Sequence, residues 1–259
     1  MKNAEYTFGT SSAAAARLEE IAEYFNPLAA ALIRRFVSKG CGAAVDLGCG
    51  PGFTTNMLAE AASCRKTYGL DNSREFLEMA TRRFAHCTFL EHDVTKVPFP
   101  VTADVMYARF LLCHLTTPLE LVAAWMTQLN SEGLLFVDEM DAINTDLEVF
   151  KTYIAMAEGI IAAQGGSLYI GKVSAAAAHE ADVLMNESAV LPVTNHQAAS
   201  WFFPNTQTIW KENQYVLEHL GAKERDAVSR ELERLKAERD SRSDITWRLR
   251  RLVLRKQAD

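Results

Sequence analysis

No apolar run in the sequence approaches the roughly 18–20 residues a membrane-crossing helix needs. The opening residues Met1-Lys2-Asn3-Ala4-Glu5-Tyr6 lack the basic-then-apolar order of a secretory signal, so a cytoplasmic protein with no membrane partner is expected. The five cysteines (Cys41, Cys49, Cys64, Cys87, Cys113) are odd in number and form no C-x-x-C, which disfavours a disulfide framework or a cysteine zinc site. They read as mostly buried thiols. Six histidines form no H-E-x-x-H, and no metal site is read. Positive charge is in deficit: 27 Lys and Arg stand against 33 Asp and Glu, a net charge of −6. That balance excludes a general nucleic-acid binder, whose affinity would rest on neutralising phosphates.

What is present is the composition of a globular chain, 259 residues long, 49% apolar and 23% charged. Short apolar runs at Ala43–Leu47, Thr67–Leu70, Thr88–Leu90, Asp104–Ala108 and Leu134–Val137 read as strands. Helical patterns separate them at Phe53–Ser63, Arg74–Phe84 and Pro118–Leu129. Asn72 with Glu75 reads as one helix start, and Thr117-Pro118-Leu119-Glu120 as a capping box with proline at the first helical position. Repeated β-α-β units predict an α/β fold with a doubly wound, mostly parallel sheet. Two helices, Ser11–Tyr24 and Pro27–Ser38, precede the first strand. Beyond the fifth strand the pattern predicts helices at Asn144–Ala163, Val173–Asp182, Trp210–Leu220 and Ala222–Arg239, and a short strand at Ser188–Thr194. The tail Ile245–Lys256 reads as a strand whose alternation slips at Arg250-Arg251, as a bulge there would produce. Its basic residues read as a solvated face.

Chemistry concentrates after the first strand, in Val45-Asp46-Leu47-Gly48-Cys49-Gly50-Pro51-Gly52-Phe53. Glycines let a ligand approach the main chain closely, and in a doubly wound sheet this loop lies at the ligand-binding edge. A nicotinamide fingerprint would need glycine where Phe53 stands, and a phosphate loop would need a following Gly-Lys-Ser/Thr. Asp71 ends the second strand, 25 positions beyond Asp46, and a carboxylate there can accept from two vicinal ribose hydroxyls. Asp93 follows the third strand and can accept from an exocyclic amine. Acids at three successive strand ends are a stronger signal than any one of them.

Asp46-Leu47-Gly48-Cys49-Gly50-Pro51-Gly52 resembles the glycine motif of class I S-adenosylmethionine-dependent methyltransferases. Gly69-Leu70-Asp71-Asn72-Ser73 resembles their ribose-binding loop, His92-Asp93-Val94 their adenine loop, and Asp104–Leu115 their fourth strand and the loop beyond it. Leu129–Val137 resembles the turn into their fifth strand, with Ser131-Glu132 departing from the usual Pro-Gly-Gly. The resemblance implies a Rossmann-like sheet of seven strands in the order 3-2-1-4-5-7-6, with S-adenosyl-L-methionine as cofactor. It implies that Gly48, Cys49 and Gly50 face the methionine part and that Asp46 holds the loop and the amino group. Asp71 and Asn72 would then serve the ribose, Asp93 and Val94 the adenine, and Arg17 and Arg109 complete the cofactor set. Arg17 is the one cation between Lys2 and Arg34, and its fork of donors suits a carboxylate. His114 is the candidate general base for a hydroxyl acceptor.

The chain is read as one methyltransferase domain. Residues 1–39 form an N-terminal helical lid, 40–140 the cofactor-binding core, 141–220 a substrate-side insertion with the sixth strand, and 221–259 the last helix and strand. Aromatics in the insertion suit a small, partly apolar acceptor, with Tyr6, Tyr153, Tyr169 and Trp201 as candidate contacts. Two other readings stay open: a cofactor-binding protein on this fold that guides a cyclisation or rearrangement, and a protein methyltransferase. Base methylation is disfavoured because Ala108-Arg109-Phe110-Leu111 stands where an Asn/Asp-Pro-Pro-Tyr/Phe motif would be needed. Neither the acceptor atom nor the oligomeric state is legible.

Overall fold

A computed structural model describes residues 8–37, 40–174 and 181–258. At its centre is a seven-stranded sheet in the order β3-β2-β1-β4-β5-β7-β6, the order the resemblance implies. Its strands are β1 (Ala43–Leu47), β2 (Lys66–Asp71), β3 (Thr88–Glu91), β4 (Ala103–Arg109), β5 (Leu129–Thr145), β6 (Asp182–Val193) and β7 (Ile245–Arg255). The strands from β3 to β5 pair in parallel, and β7 runs antiparallel between β5 and β6. Ala44, Val45 and Leu47 of β1 are fully buried, as a strand covered on both faces requires.

The helices are α1 (Ser12–Phe36), α2 (Phe53–Ala62), α3 (Arg74–Arg83), α4 (Pro118–Thr127), α5 (Glu148–Ala163), α6 (Gly171–Ser174), α7 (Asn195–Gln207), α8 (Ile209–Glu212), α9 (Gln214–His219) and α10 (Ala222–Glu238). On one face Ala29 and Ile33 of α1 and Met57 and Leu58 of α2 cover Tyr107, Phe136 and Val253. On the other, Leu121, Val122 and Trp125 of α4 cover Met106, Leu135, Val137 and Leu252. A third core lies beyond the strand ends, where α5 and α7 meet the long ends of β5 and β7 through Phe150, Tyr153, Trp201, Phe202 and Trp247. Val228, Leu232 and Leu235 form the buried stripe of α10 expected from their spacing.

Several expectations are corrected. The two N-terminal helices are one, α1, which continues through Pro27 although proline there removes a backbone hydrogen bond and crowds the preceding turn. Ser73, not Asn72, caps α3, its hydroxyl accepting from the Phe76 N–H at 3.2 Å. Pro118 opens α4, but the Thr117 side chain makes no cap bond. β5 runs on to Thr145 and so delays α5 to Glu148. The expected helix at Trp210–Leu220 is broken into α8 and α9 at Asn213. Most of the helix expected at Val173–Asp182 lies outside the described residues. The Asn195–Gln207 stretch forms α7, started by a Thr194/Gln197 capping box.

The tail strand keeps continuous pairing, and the irregularities lie in its partners, at Met140/Ala142 of β5 and Val183/Met185 of β6. Its hydrophobic phase slips because the far half of β7 is covered on both faces, with Leu252, Val253 and Leu254 all buried. Arg250 and Arg251 are not a solvated face. They pair with Asp141 at 2.9 Å and Asp138 at 3.3 Å, and each is under one-fifth exposed. Cys41 and Cys64 form a disulfide between the approach to β1 and the end of α2, whereas Cys49, Cys87 and Cys113 are buried thiols. A disulfide framework is disfavoured by the sequence, but this pair escapes that reading because the two residues, distant in sequence, meet with Cα atoms 4.6 Å apart.

Candidate active site

The carboxyl ends of β1, β2, β4 and β5 open onto a cavity of about 400 Å³. Its floor is the glycine loop, where Gly48, Gly50 and Gly52 take φ of +63°, +51° and +87°, a region that favours glycine. A Cβ on Gly48 would collide with Leu111, and one on Gly52 with Ala80 and Phe89. At Gly50 the nearest atoms would be 3.9 Å away, so that position keeps open space for a ligand.

The two acids flanking the loop hold its shape. Asp46 is buried, and its Oδ2 accepts from the hydroxyls of Thr54 at 2.6 Å and Thr55 at 2.7 Å. Burial outweighs these bonds and pushes its carboxyl up to about 7. Asp71 accepts from the Gly50 N–H with Oδ2 and from the Ser73 N–H with Oδ1, both at 2.8 Å. Burial again moves it upward against the backbone bonds. Each oxygen keeps a second acceptor direction, so a ribose diol fits. Asp93 sits in a turn with Thr95 and pairs with Lys96 at 3.2 Å. Burial works to raise it, but the Thr95 and Lys96 contacts prevail and hold it below its ordinary value.

Arg109, at the end of β4, donates to the Asn26 side chain at 2.9 Å and stacks near Phe25 and Phe110. Asn26 also donates to the Phe53 carbonyl, so α1, α2 and β4 are tied at one point beside the loop. Arg17 is buried and lies over the Phe8 ring. His114 is also walled in, edge-on to Phe8, and its imidazole falls to about 4, chiefly from burial and then from Arg17. It is a neutral ring at physiological pH.

The cavity therefore brings together Arg17, Asp46, Gly48, Cys49, Gly50, Asp71, Asn72, Asp93, Val94, Arg109, His114, Tyr153 and Trp201 among the expected site residues. Tyr169 is apart from them, in a surface groove with Asn144, Lys151 and Thr246. Tyr6 lies outside the described residues. Sequence reasoning missed Glu139, Asn26 and Trp247. Glu139 is fully buried inside β5, and its Oε1 accepts from the Leu111 N–H at 2.8 Å and the Leu112 N–H at 2.7 Å. Burial pushes its carboxyl up to about 8 despite those bonds.

Strand order, glycine loop and strand-end acids define a doubly wound protein with a nucleoside-cofactor site at its switch point. Residues 45–137 match the family model described as a methyltransferase domain. That stretch, which holds the glycine loop and the strand-end acids, is therefore similar to a methyltransferase domain of the kind that uses S-adenosylmethionine. It is 33% identical over 99 residues to a trans-aconitate 2-methyltransferase of Yersinia pestis, a match spanning 38% of this chain and 38% of that enzyme. A protein of Bacillus halodurans C-125 described as a methyltransferase shares the fold at TM-score 0.61 and 12% identity, over 88% of this chain and 99% of that one. A coclaurine N-methyltransferase bound to N-methylheliamine and S-adenosylhomocysteine does so at TM-score 0.57 and 15% identity, over 91% of this chain and 72% of that one. No helix among the described residues is long and apolar enough to cross a membrane.

Proposed function

We propose that this chain transfers a methyl group from S-adenosylmethionine to a small, partly apolar organic acceptor. The observation that carries this reading is the continuity of one cavity, from Gly48, Gly50 and Asp71 to Tyr153, Trp201 and Trp247. The first end has the backbone cradle and carboxylates a nucleoside cofactor needs. The second is walled by aromatics, as a ring-bearing ligand needs. When bound, S-adenosylmethionine supplies a methyl already activated as a sulfonium. The residues here then have to align an acceptor and exclude water, and alignment alone is worth about 7–11 kcal/mol.

In this reading Asp71 and Asn72 hold the ribose, Asp93 and Val94 the adenine, and Gly48, Cys49 and Gly50 the methionine part. Asp46 stiffens the loop through Thr54 and Thr55. Arg17 and Arg109 supply positive charge for the cofactor's carboxylate, and Tyr153 and Trp201 bound the acceptor. His114 serves as a neutral wall rather than the base, because a ring that protonates only near pH 4 is a weak proton acceptor. Calorimetry should give micromolar-range binding of S-adenosylmethionine and S-adenosylhomocysteine, with NAD as control. Incubation with methyl-labelled cofactor and a metabolite extract should label one small molecule. A cofactor-dependent change in the extract without transferred label would point to cyclisation or rearrangement, and label on protein to a protein acceptor.

A further inference from the structure

Two side chains that wall the cavity keep a buried polar atom with no hydrogen-bond partner among the described residues: Glu139 Oε2 and Trp247 Nε1. Buried polar groups are nearly always satisfied, because leaving one unpaired costs about 1–3 kcal/mol. Two such atoms on one cavity point to a ligand that satisfies them. Their chemistry is complementary, since a carboxylate oxygen accepts and an indole N–H only donates.

Position strengthens the case for Glu139. Its Oε1 fixes the amides of Leu111 and Leu112, and the Leu111 side chain lies against Gly48 of the cofactor loop. The carboxylate is thus rigidly held and one residue removed from the floor on which the methyl donor would rest. The charges around it are otherwise committed. Arg250, opposite Glu139 on β7, pairs with Asp141 and donates to Asn186. The adjoining Asp138 is held by Arg251 and Tyr107. On the turn that Glu139 caps, Cys113 is buried and His114 half-buried, and the surroundings favour the uncharged form of each. The cavity's guanidinium groups, Arg17 and Arg109, already cover the faces of Phe8, Phe25 and Phe110, where an ammonium ligand would otherwise stack.

We propose that Glu139 is the base that contacts the acceptor, and that with the Trp247 indole it selects an uncharged ring compound carrying a hydroxyl and a second, accepting oxygen. This inference rests on the methyltransferase reading and narrows its substrate class. The hydroxyl donates to Glu139 Oε2, and the second oxygen accepts from Trp247 Nε1. During transfer the hydroxyl proton passes to the Glu139 carboxylate, giving a carboxylic acid. The oxygen's electron pair forms the new C–O bond, and the C–S pair stays on sulfur as a neutral thioether. A polycarboxylate acceptor would instead press further negative charge on an unpaired acid.

The test uses the labelled product from wild-type enzyme together with E139Q and W247F. Glutamine keeps the Oε1 bonds to Leu111 and Leu112, so E139Q should fold and bind S-adenosylhomocysteine as tightly as wild type. Its kcat should fall about 100-fold or more, the usual scale for a lost base, with KM little changed. The wild-type rise of kcat with pH should vanish in E139Q. W247F should raise KM about tenfold with little loss of kcat. Mass spectrometry should place the label on a hydroxyl oxygen of an uncharged ring compound. A methyl ester of a polycarboxylic acid, an N-methylated product, or an E139Q enzyme with wild-type kcat and pH profile would overturn the inference while leaving methyl transfer intact. No labelled product and no S-adenosylhomocysteine binding by wild type would remove both.

Discussion

Asp71→Ala should separate cofactor affinity from folding stability. In the fold the two oxygens of Asp71 hold the Gly50 and Ser73 amides at 2.8 Å, and the carboxyl is raised by burial. A bond to a charged group is worth about 1.5–3 kcal/mol, so losing two would suggest a large destabilisation. The upward shift argues otherwise, because it means that desolvation costs the carboxylate more than its bonds return. Alanine removes that penalty along with the bonds, and the net loss of stability should be only about 1 kcal/mol. Affinity has no such offset. The ribose diol loses its acceptor and the Gly50 amide loses its tether, so S-adenosylhomocysteine binding should weaken by about 1.5–3 kcal/mol, or about 10- to 150-fold in Kd. Denaturant unfolding and calorimetry on the same preparations measure both quantities. Asp71→Asn should fall between the two, since its amide keeps one acceptor but turns a donor toward one of the backbone amides. Affinity within twofold of wild type, or a collapse of stability larger than the affinity loss, would refute the reasoning.

Three further outcomes follow from the same geometry. His114 titrates near 4 in the fold against 6.5 when unfolded, so its contribution to stability is present above about pH 6.5 and is lost as pH falls through 4; His114→Asn should flatten that part of the stability–pH curve, and an unchanged curve would show the ring is not buried neutral. Gly159 of α5 sits against the Tyr215 ring, where a Cβ has no room; Gly159→Ala should cost about 1–3 kcal/mol by denaturant unfolding, and Tyr215→Ala in the same chain should recover part of it. Ligand binding should add hydrogen-exchange protection over residues 17–22, of which Arg17, Leu18, Ile21 and Ala22 line the cavity, while residues 25–33 should be protected already; no gain over residues 17–22 would reject a covering role for the start of α1.

That last contrast divides α1 into a start that faces the cavity and a later half that belongs to the core. Phe25, Ala29 and Ile33 are buried, and Phe25 touches Phe110, Trp201 and Trp247. Removing residues 1–25 would take out a core aromatic as well as a cover. The cofactor half of the site was legible because it is local: one strand, one glycine loop and the acids that end the next two strands. Gly48 and Gly50 announce their backbone angles, and Asp71 announces a strand end. Glu139 was invisible for the opposite reason. It lies inside a strand that reads as apolar, and it acquires meaning only when β4 brings Leu111 and Leu112 beside it. Trp247 likewise enters through β7, more than a hundred residues later in the chain. Arg250 and Arg251 misled because a basic pair in a tail reads as solvated until β5 supplies Asp138 and Asp141.

Three titratable groups that line the cavity share one bias. Asp46 and Glu139 are pushed upward and His114 downward, each toward its uncharged form, and burial is the largest cause in all three. A wall that favours neutrality on both acids and a base marks a site poor in water, where charges brought in by ligands attract more strongly than in solvent. Methyl transfer from a sulfonium to a hydroxyl whose proton is leaving removes charge from both reacting centres. An interior that penalises charge favours that step over any reaction that would separate charge. The same feature gives Glu139 its range: raised to about 8, it holds a proton accepted on transfer at neutral pH and returns to the carboxylate as pH rises through 8, which is why kcat should rise with pH. His114, held near 4, could not keep a proton through the step. The division of labour between these two residues thus follows from their burial and neighbours rather than from their usual chemistry.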